Sequence, residues 1–238
     1  MNKILPPTMG RFAYGDSRYL ILPEYNGIKK HEMNRELHRT IQPEDITSQY
    51  ILVCGCSFSM GEGIANTETY SHLLSENLSV PVYNLSLSGS GCDFIELNIK
   101  NWITNFSIKP KLVIVQWSFP HSRMLHFKDG SPYLLGPWIV DKNFRHNLWK
   151  KEFELQKCYN DNIDNIYNIS LVSRKSLLDF LNTNQINYIE IMLDDYSFIE
   201  STTFDTIDRG IDGQHPGPET HRNISDRLTS IIKNDTVF

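Results

Sequence analysis

The chain has 238 residues, of which 40% are hydrophobic and 11% aromatic, which is enough for a sizeable core in one domain. Its net charge of -5 gives no electrostatic reason to expect nucleic acid or an anionic membrane as a partner. No stretch approaches the roughly 20 apolar residues that span a bilayer, and the start lacks a signal-peptide core, so we expect a cytoplasmic protein.

The cysteines agree with a reducing compartment. The four cysteines include the triplet Cys54-Gly55-Cys56, which does not have zinc-ribbon spacing, and no second pair completes a tetrahedral site. We interpret them as small buried thiols. The sequence therefore predicts neither a metal nor a cofactor.

Strands and helices alternate from residue 50 onwards. Residues 1–49 lack sustained periodicity and are interpreted as an N-terminal extension packed on a domain of residues 50–238. In chain order, apolar runs and helical spacing predict a strand at 50–54, a helix at 67–78, a strand at 80–85, a helix at 93–106, a strand at 111–117, a helix at 163–182, a strand at 187–193 and a helix at 218–232. This alternation predicts an α/β fold whose parallel sheet is covered by helices on both faces.

Small and polar residues follow each predicted strand. Because ligands of such sheets bind at the carboxyl ends of the strands, these loops form the candidate site. The segments that follow the four strands are GCSFSMGEG, NLSLSGSGCD, SFPHSR and DDYSF, and IDGQHPG precedes the last helix.

Three interpretations compete for GCSFSMGEG, residues 55–63: a phosphate-binding loop, a serine nucleophile at a strand end, and a tight turn. The loop has no lysine for a P-loop, and its glycines have the wrong spacing for a dinucleotide fingerprint. Binding of a flavin phosphate by this loop remains an alternative, since such loops are also rich in Ser and Thr.

A serine nucleophile needs a base, and the base needs a group that orients it. Asp212 stands three residues before His215, in a loop just before the last helix, so its carboxylate can face one imidazole nitrogen and leave the other for Ser57. In the second loop Gly89 has no side chain to block a substrate, so its amide and the amide of Ser57 are candidate donors to an oxyanion. The alternative is that the glycines of this loop only allow a turn.

Together these blocks resemble the SGNH hydrolase superfamily, the GDSL-like lipases and acylhydrolases. Ser57 stands in the nucleophile position of the first block, Gly89 in the oxyanion-glycine position of the second, and Asp212 and His215 in the last. The resemblance covers about residues 50 to 235. It implies a three-layer α/β/α sandwich with a flavodoxin-like parallel sheet, and ester hydrolysis through an acyl-enzyme intermediate.

Two positions depart from the family pattern. Cys56 replaces the Asp that usually precedes the serine, which leaves the nucleophile itself in place. The third block has Trp117, Ser118 and Arg123 where the family has an Asn of the oxyanion hole, and these three are candidate substrate-binding residues. We therefore expect an active but specialised enzyme.

The segment 119–160 is an aromatic-rich insertion without clear periodicity. Connections of this kind are often lids or binding loops, and aromatic faces with polar neighbours suit sugar rings. The alternative is a subdomain with a small core of its own.

The sequence hypothesis is a serine esterase that removes a small acyl group, such as acetyl, from a glycan or a similar small-molecule ester. Two alternatives stand beside it. The same triad could transfer the acyl group to a sugar hydroxyl in place of water, or the chain could be a non-catalytic binding or structural module with the SGNH fold.

Overall fold

The structure is a computed structural model that describes residues 45–120, 122–126, 132–135, 163–193 and 201–234. Within these residues the strands are β1 (Ile51–Cys54), β2 (Val82–Asn84), β3 (Leu112–Gln116), β4 (Arg123–His126), β5 (Pro132–Leu135), β6 (Asn187–Leu193) and β7 (Thr202–Phe204). The α-helices are α1 (Ser57–Met60), α2 (Tyr70–Leu78), α3 (Cys92–Asn105), α4 (Ile163–Thr183) and α5 (Pro218–Asn234).

The main sheet contains five parallel strands in the order β2-β1-β3-β6-β7. Its register places Ile51 of β1 beside Val82 of β2 on one side and beside Leu112 of β3 on the other. Counting only the strands of this sheet, the order is 2-1-3-4-5, which is that of flavodoxin-like sheets with a switch point between β1 and β3. The predicted α/β fold with a flavodoxin-like sheet is confirmed.

Alternate side chains of β1 and β3 point to opposite faces of the sheet and separate two cores. On one face the sheet packs against α3 and α4, through Leu52, Val113, Ile95, Ile99, Trp102, Leu177 and Leu181. On the other face it packs against α2 and α5, through Ile51, Ile114, Tyr70, Leu74, Ile224, Leu228 and Ile232. Two helices on each face make a three-layer α/β/α sandwich.

The main differences from the predicted elements concern short pieces of secondary structure. Helix α2 begins at Tyr70, not at residue 67, because Thr69 caps it: its Oγ1 accepts a hydrogen bond from the His72 amide at 3.3 Å. Helix α1 and strand β7 were not predicted, since they have four and three residues and are too short to show a period.

Two predicted regions lie mostly outside the described residues. Of the extension over residues 1–49 only 45–49 are described, and Ile46 belongs to the core at 3% exposure. Of the insertion at 119–160, the described residues include an unpredicted antiparallel hairpin of β4 and β5. Among the helices that the structure describes, none has the length and apolar character required to cross a membrane.

Candidate active site

The loop between β7 and α5 pairs Asp212 with His215. Nδ1 of His215 lies 2.6 Å from Oδ2 of Asp212, and Oδ1 accepts hydrogen bonds from the amides of Gln214 and His215 at 2.9 and 3.0 Å. Burial raises the pKa of Asp212, but these hydrogen bonds and the charge of His215 outweigh it and hold the pKa below its ordinary value. The carboxylate therefore stays ionised near neutral pH and can orient the imidazole.

Asp208 ties the same loop to the start of α5. Its carboxylate accepts hydrogen bonds from the amides of Glu219 and Thr220 at 3.0 and 2.8 Å. Burial raises the pKa of Asp208, but these hydrogen bonds hold it below its ordinary value. Gly217 leaves no room for a side chain, because an added Cβ would lie 2.4 Å from Oδ2 of Asp208 and 2.7 Å from the carbonyl oxygen of Arg209. The loop that carries His215 is thus held at its base.

The turn after α1 docks on this loop. Gly63 has a φ of 79°, which glycine adopts without strain, and its carbonyl accepts a hydrogen bond from the Ile211 amide at 3.0 Å. An added Cβ at Gly63 would lie 2.9 Å from Cγ of Asp212. This close approach explains the glycine and brings the loop that carries Ser57 to the loop that carries His215.

The start of α1 lies beside the imidazole, and a carboxylate lies at its second nitrogen. The ring of Phe58 stands edge-on to His215, with 5.6 Å between ring centroids. Nε2 of His215 lies 3.1 Å from Oε2 of Glu62, and among the described residues no hydrogen bond joins Ser57 Oγ to His215. Sequence analysis did not single out Glu62; the available signal was its place between Gly61 and Gly63.

Gly89 lies in the loop after β2 and has a φ of 75°. The Leu87 amide donates to the Gly55 carbonyl at 3.3 Å, which continues the pairing of β1 with β2 and sets the two loops side by side. Within the described residues the Gly89 amide donates no hydrogen bond. Ser57 is the first residue of α1, and the first N–H groups of a helix have no intrahelical acceptor. Both amides suit the predicted oxyanion role, which stays a prediction.

In the third block, Trp117 is fixed by contacts with β6 and α4. Trp117 and Ser118 follow β3 and are only 2% and 4% exposed. The indole N–H of Trp117 donates to Oε2 of Glu190 at 2.7 Å, and the same oxygen accepts from Nε of Arg174 at 2.6 Å. Arg123 begins β4, and its side chain lies outside the described part of the chain. Substrate binding by Trp117, Ser118 and Arg123 stays a prediction.

Cys56 precedes the serine and is 4% exposed. Burial raises the pKa of its thiol, and hydrogen bonds with the Phe58 amide and the Ser118 side chain lower it by less, so the pKa lies above its ordinary value. The thiol is therefore neutral at physiological pH. It does not supply the negative charge of the Asp that it replaces, and it does not compete with Ser57 as a nucleophile.

A small cleft opens at the carboxyl ends of β1, β3 and β6, next to the switch point of the sheet. Its apolar lining includes Phe58, Trp117, Phe119, Met192 and Leu193. In the described ranges no group of three or more His, Cys, Asp and Glu side chains could hold a metal ion.

No protein-family model matches the chain, and no curated protein matches it. Among solved structures it is similar to the psychrotrophic esterase EstA from Pseudoalteromonas sp., with 12% identity, a TM-score of 0.46 and coverage of 79% of this chain and 98% of that one. It is also similar to TesA, with 15% identity, a TM-score of 0.48 and coverage of 78% and 99%. A third similar structure is a carbohydrate esterase, with 11% identity and a TM-score of 0.48 over 78% of this chain. The chain spans 65% of that esterase's length.

Gly63 and Gly213 form a matched pair for testing the docking of the two loops. Their φ values are 79° and 69°, so alanine at either position strains the backbone by roughly 1–2 kcal/mol. An added Cβ meets nothing within 4 Å at Gly213, whereas at Gly63 it meets the Asp212 carboxylate at 2.9 to 3.0 Å. We expect Gly213→Ala to lower the free energy of unfolding by the strain alone. Gly63→Ala should lower it further and displace Asp212.

Urea denaturation measures the stability of both variants, and the NMR signals of the His215 imidazole report on its contact with Asp212. Equal losses of stability and unchanged imidazole signals in both variants would contradict the docking of Gly63 on Asp212.

Proposed function

We propose that the protein is a serine ester hydrolase of the SGNH type, which works through an acyl-enzyme on Ser57. The observation that carries the proposal is the 2.6 Å contact between Nδ1 of His215 and Oδ2 of Asp212, in a loop docked on the turn that follows Ser57. A carboxylate at Nδ1 selects the tautomer and orientation that a general base requires. The position of these groups at the carboxyl edge of a parallel sheet supports the same assignment.

In the proposed reaction Ser57 Oγ attacks the carbonyl carbon of the ester while Nε2 of His215 takes the hydroxyl proton. The bond between the carbonyl carbon and the alcohol oxygen then breaks, and the alcohol leaves with that proton. Water next attacks the acyl carbon and gives a proton to Nε2; the bond between that carbon and Ser57 Oγ then breaks, Oγ takes the proton from Nε2, and the acid leaves. Asp212 remains ionised throughout and stabilises the imidazolium that forms in each half of the reaction.

We assign the stabilisation of the negative charge that develops on the carbonyl oxygen to the amides of Ser57 and Gly89. One such donor contributes roughly 3 kcal/mol in the transition state. The third block offers no Asn as a further donor, so we expect a slower reaction than two amides and an Asn would support.

The substrate that we propose is a small acyl ester, such as an acetyl ester, of a glycan or a similar molecule. The small size of the cleft beside Phe58, Trp117 and Phe119 favours a short acyl chain. Acyl transfer to a sugar hydroxyl would use the same residues, with that hydroxyl in place of water. Product analysis with and without acceptor sugars separates hydrolysis from transfer.

Covalent labelling tests the proposed nucleophile directly. A fluorophosphonate probe is expected to form one adduct, at Ser57, in the folded protein, because only an activated serine reacts with it rapidly. Mass spectrometry of the digested protein locates the adduct, and urea-denatured protein serves as the unreactive control. A folded protein that carries no adduct at Ser57 contradicts the proposal.

A second candidate is a non-catalytic binding module. It is favoured by the 3.1 Å contact of Glu62 Oε2 with His215 Nε2, since this contact occupies the nitrogen that a base needs free. In that case the probe leaves Ser57 unmodified, and Ser57→Ala binds an acetylated glycan as wild type does.

A further inference from the structure

Glu62 lies at the imidazole nitrogen that the proposed reaction needs. Its Oε2 is 3.1 Å from Nε2 of His215, and the two side chains are 20% and 17% exposed. Because Nδ1 of the same ring faces Asp212, the contact with Glu62 occupies the nitrogen that has to accept the Ser57 proton.

The fold places Glu62 there through its backbone. Gly61 and Gly63 on either side both have a φ of 79°, so the chain turns sharply before and after Glu62. The Glu62 amide donates to the Ser57 carbonyl at 3.2 Å, and the Gly63 carbonyl is bonded to the His215 loop. One turn thus carries the nucleophile at its start and the carboxylate at its tip.

Few other charges face the imidazole in the part of the chain that the structure describes. On its own loop, Asp212 faces Nδ1, and Arg209 is directed to the Gln214 carbonyl at 2.8 Å. From α1 the uncharged ring of Phe58 covers one side. Within these residues Glu62 is the charged group that contacts Nε2.

We propose that Glu62 is a positioning residue that holds His215 turned away from Ser57 in the ligand-free protein. This inference rests on the proposed hydrolase function. Before Ser57 can react, Nε2 has to leave Glu62 and turn to the Ser57 hydroxyl. Removing the charge of Glu62 weakens the contact and should therefore make Ser57 more reactive.

The rate at which a fluorophosphonate modifies Ser57 tests this role without knowledge of the substrate. The full chain is compared as wild type, Glu62→Gln and Glu76→Gln from about pH 5 to about pH 9. Glu76 is the matched control, because its Oε1 lies 3.4 Å from Nε2 of His72 on α2, in a Glu–His pair within one helix. We expect Glu62→Gln to react about tenfold faster than wild type, the effect of losing one hydrogen bond to a charged group. Glu76→Gln should match wild type across the same pH range.

A nitrogen NMR spectrum gives a readout that does not depend on reactivity. The Nε2 signal of His215 should shift in both Glu62→Gln and Glu62→Ala and stay unchanged in Glu76→Gln. If Ser57 reacts but the pH profile of Glu62→Gln equals that of wild type, or lies below it at every pH, this role of Glu62 is wrong and the hydrolase proposal stands. If Ser57 reacts in no variant at any pH, the hydrolase proposal fails and this role fails with it.

Discussion

Replacing Ser57 with alanine is expected to lower kcat/KM for ester hydrolysis by about 10⁴-fold or more, as the loss of a serine nucleophile does in other triads. The change removes only the hydroxyl that would carry the acyl group. The Ser57 carbonyl still accepts hydrogen bonds from the amides of Gly61 and Glu62 at 2.9 and 3.2 Å, so the turn should keep its shape. Hydrolysis of 4-nitrophenyl acetate measures the rate, and urea denaturation checks the fold.

Ser59→Ala is the matched control for Ser57→Ala. Ser59 lies two residues further along α1 and is fully buried, with its hydroxyl 2.7 Å from the Tyr70 hydroxyl and hydrogen-bonded to the Gln116 side chain. Removing it leaves buried polar partners and should lower the free energy of unfolding by about 1–3 kcal/mol. Since Ser59 takes no part in the reaction, its loss should spare most of the activity. A Ser57→Ala protein that is as active as Ser59→Ala would rule out Ser57 as the nucleophile.

The sheet and its helices could be predicted because burial dictates their pattern. The strand β3, Leu112–Gln116, is buried along its whole length between two helical layers, and its apolar run is visible in the sequence. The strand β7, Thr202–Phe204, has one buried residue in three, so no comparable pattern marks it. The local sequence predicts elements with a regular pattern of buried residues. It misses an element such as β7, which is a strand because it pairs with β6.

The candidate site divides in the same way. Asp212 and His215 could be paired from the sequence because they are three residues apart in one loop, and a contact at that spacing depends on local geometry. The contact of Glu62 with His215 joins residues far apart in the chain, and it depends on how the turn at Gly63 docks on Ile211. In a single sequence the only sign of such a long-range contact is the pair of glycines, and glycines do not indicate which residues the turn contacts.

Replacing Asp212 with asparagine is expected to lower kcat/KM by about 10⁴-fold through a change of tautomer. The asparagine oxygen can still accept from the amides of Gln214 and His215, but its NH₂ group then faces Nδ1 of His215. Nδ1 has to accept that hydrogen bond, so the proton of the neutral ring moves to Nε2. A protonated Nε2 cannot take the proton of Ser57, and the serine stays unactivated. The loss should appear in kcat/KM for 4-nitrophenyl acetate.

Asp208→Asn separates this electronic effect from a loss of loop structure. Asp208 belongs to the same loop and also accepts hydrogen bonds from backbone amides, but among the described residues it contacts no histidine. Its replacement should weaken the start of α5 by about 1 kcal/mol, as the loss of a helix cap does, and leave kcat/KM unchanged. If Asp208→Asn lost as much activity as Asp212→Asn, the Asp212 effect would have to come from the loop. If activity is lost in Asp212→Asn and kept in Asp208→Asn, the reaction depends on a carboxylate at Nδ1 of His215.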